Sequence, residues 1–332
     1  SSATAGSCSS STWPRSSKGR ECARERRPDA VYEGYWGLRE KPFRKTPDPR
    51  FLFLNETYEE AFERLVFAVE EMELALLTGE VGSGKTLLTR TLVDRVGDRF
   101  EVGMILNPRL SPRQFLRTAA LELGIAEPPF HANDLLERIH ERLLALDQEG
   151  RAALLVVDEA HLIPGKPTFE EIRLLTNFQL DDRNLIAIVL VGQPELRERL
   201  RHRTYRAVTQ RVGVSFQLKP LDVEDTRAYL AHRLGVAGAE GSVFSEGAVR
   251  LLHAASGGVP RLLNHLATQA LVEGMARGIG EVDEASVRAV VEDDFATEAA
   301  SSGRREAAGG RTSPRPAAKG RERKGALVGA RR

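Results

Sequence analysis

Residues 79–86 read Gly79-Glu80-Val81-Gly82-Ser83-Gly84-Lys85-Thr86, which fills the spacing Gly-x-x-x-x-Gly-Lys-Ser/Thr at every fixed position. Few short stretches constrain a fold so tightly. The glycines let the backbone curl until several N–H groups point inward, and the N-terminus of a following helix adds positive potential, so that a phosphate chain is cradled. The loop needs a buried strand before it and a helix behind it. Leu74-Ala75-Leu76-Leu77 is an apolar run of strand length, and residues 87–96 have helical spacing. In such a loop Lys85 reaches the β- and γ-phosphates and the Thr86 hydroxyl ligates Mg²⁺. Gly79, Glu80, Val81, Gly82, Ser83, Gly84, Lys85, Thr86 and Leu87 are therefore the candidate nucleotide contacts.

A second motif completes the site. Leu154-Leu155-Val156-Val157-Asp158-Glu159 is an apolar run ending in two carboxylates, as expected of a central strand that delivers acids to the carboxyl edge of a parallel sheet. Asp158 takes the place of the Walker B acid, holding Mg²⁺ through water, and Glu159 that of the general base for an attacking water. An acid beside the metal-holding Asp argues for ATP hydrolysis rather than nucleotide-dependent binding alone. The run Asp158-Glu159-Ala160-His161 also spells the signature of a helicase class. Only one sheet domain of this type is read, where such a helicase needs two, so His161 is expected to pack or to support its neighbours rather than to catalyse.

Charge is unevenly spread. Residues 1–30 carry six basic and three acidic groups, and residues 297–332 carry ten and three, leaving 32 basic against 41 acidic groups in 31–296. Both ends are rich in Ser, Gly, Ala, Pro and Arg and poor in apolar groups, the composition of disordered tails. The basic C-terminal stretch leaves contact with DNA or anionic lipid open. Cys8 and Cys22 both lie in the first tail, so the body has neither a disulfide framework nor a cysteine zinc site. No run approaches the roughly 20 apolar residues of a membrane span, and the Ser-rich start lacks the apolar core of a secretory signal. We expect a cytoplasmic protein, with a peripheral place at the inner membrane left open.

Along the chain, strand and helix alternate from Glu73 onward, which predicts an α/β parallel sheet covered by helices on both faces. Residues 101–106 form a second strand. Ser111-Pro112-Arg113-Gln114 is a capping box with Pro at the first helical position, opening a helix that stops at Gly124. Asn133 caps the next helix, and Thr168-Phe169-Glu170-Glu171 caps another that runs to about Leu180. A strand over 185–191, a short helix over 194–201 and a last strand over 212–218 follow. After Pro220 come four helical patterns, 222–234, 245–255, 260–277 and 283–295, with no strand between them. The organisation expected is a tail at 1–30, a nucleotide-binding domain at 31–220, a small all-α lid domain at 221–296 and a basic tail at 297–332.

Several separated blocks resemble one family. Tyr35-Trp36-Gly37-Leu38-Arg39-Glu40-Lys41-Pro42-Phe43 and Thr46-Pro47-Asp48-Pro49-Arg50-Phe51 look like the N-terminal signature of the ExeA-like (general secretion pathway protein A) AAA+ ATPases. Glu171-Ile172-Arg173-Leu174-Leu175-Thr176-Asn177-Phe178, Val191-Gly192-Gln193-Pro194-Glu195-Leu196, Gln210-Arg211-Val212 and Gly258-Val259-Pro260-Arg261-Leu262-Leu263-Asn264 match further blocks in order, over roughly 32–296. The resemblance implies a P-loop NTPase of the AAA+/ASCE kind, with a sensor strand between the two motif-bearing strands and a helical lid. It makes Gln193 the polar sensor of the γ-phosphate, Arg261 the lid arginine that reaches the nucleotide, and Arg211 the arginine finger offered to a neighbouring subunit, with Arg206 as the alternative. Asn107 either restrains Glu159 or simply forms a turn before Pro108. The 46–51 stretch would lie along the adenine. Relatives of this kind often continue into a membrane helix and a peptidoglycan-binding domain; neither is read here, so direct action on the cell wall is not expected.

Two functions stay open. One is an ATP-hydrolysing enzyme that, with Mg²⁺, couples assembly into a ring or spiral of about six subunits to biogenesis of a secretion or type IV pilus-like machine. The other is a DNA-bound regulatory ATPase of the transposition-protein type.

Overall fold

Apolar runs too short for helices and unbroken by polar residues become strands buried on both faces, and three of them form the centre of this molecule. The structure, a computed structural model, describes residues 32–293 apart from 45, 47 and 182. Both expected tails, Cys8, Cys22 and the end of the last expected helix lie outside the described residues. In chain order, a 3-10 turn at Pro49–Phe51 leads into α1 (Glu56–Glu70), β1 (Leu74–Gly79), α2 (Lys85–Val96), β2 (Phe100–Ile105), α3 (Pro112–Glu122), α4 (Ala132–Gln148) and β3 (Ala152–Val157). Next come α5 (Lys166–Leu175), β4 (Ile186–Gly192), α6 (Pro194–Arg201), α7 (Arg206–Thr209) and β5 (Val212–Leu218). The C-terminal region is helical: α8 (Val223–Val236), α9 (Glu246–Ser256), α10 (Pro260–Ala276) and α11 over 284–293.

The sheet is parallel throughout, in the order β2-β3-β4-β1-β5. β4 lies between β3 and β1, as the family resemblance implied. The turns leaving β1, β3 and β4 therefore emerge side by side at one edge, where open α/β sheets bind ligands. Side chains alternate between two cores. Leu77 of β1, Val156 of β3 and Val189 of β4 join the core shared with α1 and α2, while Leu76, Leu155 and Ile188 join the one beneath α3, α4 and α5.

Two helix starts differ from expectation. Asn133 does not cap α4: the helix begins at Ala132 behind His131, which offers no side-chain cap, and Asn133 sits exposed in the first turn. Nor does Thr168 cap α5. That helix begins at Lys166, behind an extended Gly165 and with Pro167 in its first turn; Thr168 is already inside it, buried, donating its hydroxyl to the Leu110 carbonyl at 3.2 Å. α5 also stops at Leu175. The apolar Phe178 and Leu180, which mimic helical spacing, belong to a narrow turn pinned by the Gln179–Asn184 bridge and the Leu180 N–H on the Arg183 carbonyl. The capping box at Ser111 and the stop at Gly124, which has a φ of 83°, are as expected.

One arrangement was not legible in the sequence. The segment before α1 is fastened to the C-terminal helices: Trp36 Nε1 donates to the Leu271 carbonyl at 2.9 Å, the Arg39 N–H to Ala237 at 2.7 Å, and Arg233 Nε to Pro42 at 2.7 Å. Arg233, itself buried, lies over the Phe51 ring at 5.0 Å. Phe43, Arg44, Thr46, Asp48 and residues 51–53 thus form one wall of the space between sheet and helical region.

Candidate functional site

The loop after β1 is built to receive an anion. Gly82 and Gly84 have φ values of 84° and 92°, open to glycine and strained for other residues. Gly84 stands at the N-terminus of α2 with no side chain capping it, so the first N–H groups of the helix face the loop's hollow. Ser83 Oγ is buried with no hydrogen-bond partner. From α1, the buried Tyr58 donates its hydroxyl to the Ser83 carbonyl at 2.6 Å and braces the loop from below. Nothing in the loop's spacing pointed to Tyr58, because it acts from a helix 25 residues upstream.

Lys85 folds back over the loop, donating to the Gly79 carbonyl at 2.8 Å and to the Glu80 carbonyl at 2.7 Å. Burial pulls its pKa below the ordinary lysine range, against the opposing field of Glu159 and Asp158. The sign gives a prediction. Phosphate binding needs the ammonium form, so above the Lys85 pKa binding must take up a proton. Affinity for ADP without Mg²⁺ should stay level near neutrality and then fall by up to about tenfold per pH unit, with an onset below about 10.4, the ordinary lysine value. Fluorescence titration between pH 7 and 10 measures it. A Lys85→Arg control should show no such fall, and a wild-type curve as flat as the control would refute the assignment.

Asp158 continues from β3, its N–H bonded to the Ile105 carbonyl at 2.9 Å and its carboxylate accepting the Glu159 N–H at 2.8 Å. Burial raises its pKa, partly countered by that hydrogen bond. Glu159 adopts a left-handed conformation, φ 50° and ψ 35°, which a residue with a side chain rarely takes. The kink turns its half-exposed carboxylate back toward the cleft, 3.3 Å from His161 Nδ1. Gln193 begins α6, its side-chain nitrogen 3.0 Å from His161 Nε2.

Arg261, the second residue of α10, closes the opposite side. Its N–H donates to the Gly82 carbonyl at 3.2 Å, and its side-chain carbons lie where any Cβ on Gly82 would have to go. The cleft between these elements has a volume of about 840 Å³, within the range of small-molecule sites. It takes in Val81, Gly82, Ser83, Gly84, Lys85, Thr86, Leu87, Glu159, Gln193 and Arg261, and is walled at its far end by Thr46, Asp48, Phe51 and residues of α8 and α10. Gly79 and Glu80 lie behind the loop, holding Lys85. Among the described residues no group of three or more His, Cys, Asp or Glu forms a metal cage. The donor set of one hydroxyl, Thr86, and one carboxylate, Asp158, suits Mg²⁺, which keeps several waters and takes phosphate oxygens.

Two expected residues stand apart. Arg211 is exposed outside this cleft, with its guanidinium on Asn177 Oδ1 at 2.7 Å; Arg206 is likewise exposed and outside it. Asn107 is exposed and accepts the Arg109 N–H at 3.4 Å, which is the turn-forming arrangement, while the Glu159 carboxylate lies beside His161.

Residues 69–200 match the family described as AAA domain, a span that holds the loop, both acids and Gln193. The chain carries an AAA domain over these residues. The chain is similar to general secretion pathway protein A of Aeromonas hydrophila, 38% identical over 251 residues that make up 75% of this chain and 46% of that protein. A zinc import ATP-binding protein, ZnuC 2 of Hahella chejuensis (strain KCTC 2396), is 31% identical over 130 residues, 39% of this chain and 47% of that one. The chain spans about half the length of these curated relatives. Among solved structures, the Aeropyrum pernix ORC2 protein in ADPNP-ADP complexes matches with a TM-score of 0.58 at 17% identity, over 76% of this chain and 71% of that one. Drosophila ORC bound to DNA matches with a TM-score of 0.58 at 18% identity, over 85% and 71%. At such identities these likenesses show the fold, that of a P-loop NTPase. The resemblance to the general secretion pathway protein A family read from the sequence holds.

Proposed function

We propose that the cleft binds ATP with Mg²⁺ and hydrolyses it. What carries this reading is the meeting, in one cleft, of an uncapped helix N-terminus, a lysine with weakened hold on its charge and a carboxylate kinked toward them from the neighbouring motif. The loop N–H groups and Lys85 hold the phosphates, Thr86 and Asp158 hold the metal, and bound Mg²⁺ supplies charge neutralisation on the phosphate oxygens. Glu159 accepts the proton of an attacking water. Gln193 and Arg261 contact the phosphates from the sheet edge and the helical region. The base lies at the far end, between residues 46–53 and α10.

Arg211, exposed and outside its own cleft, is suited to complete the site of a second copy in a ring or open spiral. The 38% identity to general secretion pathway protein A supports a role in building a secretion or pilus-like machine, with a component of that machine as partner. Among the described residues no helix is long and apolar enough to cross a membrane. ATPase assays with and without duplex DNA, at two salt concentrations, test the choice of function. We expect turnover indifferent to DNA, because residues 31–296 carry a net negative charge. Stimulation by DNA that collapses at the higher salt is the mark of counterion release from phosphate contacts. It would replace the secretion role with the DNA-bound one.

A further inference from the structure

His161 lies between the two groups that read and attack the terminal phosphate in the function proposed above, on which this inference rests. Its ring is nearly enclosed, with 14% of the side chain exposed, and Nε2 lies 3.0 Å from the side-chain nitrogen of Gln193. With the amide nitrogen donating, Nε2 accepts and the ring proton falls on Nδ1; with the amide turned over, its oxygen takes a proton from Nε2 and Nδ1 is left an acceptor. Nδ1 lies 3.3 Å from Glu159 Oε2, a distance from which a small turn of the half-exposed carboxylate would take an Nδ1 proton. The Gln193 backbone N–H, 3.4 Å from Nδ1, competes for the same nitrogen. It is accepted only in the tautomer with the proton on Nε2, in which the Gln193 amide offers its oxygen to Nε2 instead. The backbone around the ring is clamped as well: Arg199 of α6 donates to the Ile163 carbonyl at 2.6 Å and lies 5.1 and 5.2 Å from the centres of the Phe169 and Tyr205 rings.

We infer that His161 is a positioning residue that ties the side chain of Gln193 to the carboxylate of Glu159, so that the phosphate contact made by the one sets the aim of the other. The link runs amide to Nε2, then Nδ1–H to carboxylate. It takes no part in the chemistry. A Gln193 side chain drawn toward a γ-phosphate pulls on the ring, and the ring redirects Glu159, whose kinked backbone and half-exposed side chain leave it free to turn. Asn107, bonded to Arg109 instead, does not hold Glu159 in this structure.

The test uses the full chain and two independent readouts. In the first, His161→Ala is expected to lower kcat by about ten- to a hundredfold, less than loss of the base itself, with KM and ADP affinity shifted by less than about threefold. His161→Gln, whose amide can both donate and accept, should recover most of the loss, and His161→Ala combined with Gln193→Ala should cost little more than the worse single change, the signature of one linked unit. In the second, imidazole ¹⁵N spectra, assigned among the seven histidines by the signal missing in His161→Gln, should show the Nδ1–H tautomer. Gln193→Ala should loosen that preference. Wild-type kcat in His161→Ala with active wild-type protein, or a ring held in the Nε2–H form, overturns the linkage and leaves the ATPase reading standing. Absence of ATP turnover in the wild-type protein overturns the ATPase reading instead, and the tautomer then decides the linkage alone.

Discussion

Glu159→Gln should bind ATP as well as the wild type and scarcely turn it over, with kcat lower by about 10²- to 10⁴-fold, the worth of a well-placed general base. The substitution keeps the size of the side chain and a hydrogen-bonding oxygen at the end of β3, so metal and phosphate contacts survive; only the capacity to take a proton is lost. Bound nucleotide recovered after incubation should be ATP, where the wild type yields ADP. Lys85→Ala provides the contrast. It removes the cation that sits on the Gly79 and Glu80 carbonyls and faces the phosphates, so the loss should appear in binding itself. Wild-type turnover in Glu159→Gln would move the base elsewhere, and the kink at φ 50° would then need another explanation.

The second large effect concerns copies of the chain acting on one another. Arg211 is exposed, held out by Asn177 at 2.7 Å and outside its own cleft. If it completes a neighbour's site, Arg211→Ala should bind ATP normally and stay slow at every protein concentration, by about 10³-fold or more, the usual worth of an arginine finger. Wild-type specific activity should rise with concentration. Mixing Arg211→Ala with Lys85→Ala should restore turnover, since the first keeps a working phosphate loop and the second a working arginine. Recovery with Arg206→Ala in place of Arg211→Ala, and not with Arg211→Ala, would move the role to the alternative arginine. Activity independent of concentration with no recovery in either mixture would mean that each site is complete in one chain.

The site's core was legible because its parts are contiguous. Eight residues with fixed glycines, and an apolar run ending in two acids, each announce a strand, a turn and a chemical group within one short window. The strand order came only from family resemblance, since hydrophobic pattern cannot say which buried strands are neighbours. Helix starts failed where a polar residue suited to capping stood one turn inside: Thr168 is a good cap by type, but its hydroxyl is used by Leu110 across 58 residues. Long-range contacts were out of reach altogether. Tyr58 under the loop, Arg233 on Pro42 and Trp36 on Leu271 are ordinary residues whose importance lies in what the fold brings beside them. His161 falls between. Its motif was visible, but its link to Gln193 depends on β3 and β4 being neighbours in the sheet.

The fastening of residues 32–53 to the C-terminal helices has a mechanical consequence. The chain passes between that body and the sheet layer twice, once at Leu54–Asn55, where Asn55 also donates to Asp225 at 2.6 Å, and once near Pro220. Turning the C-terminal helices about the line that joins those two crossings would be a hinge motion, and it would have to part the core that these helices share with the sheet. The Pro49–Phe51 turn touches both α8 and α2, so such a rotation shears the wall at the base end as well as parting Arg261 from Gly82. The latch on such a motion is a shared core as much as a glycine carbonyl in the phosphate loop.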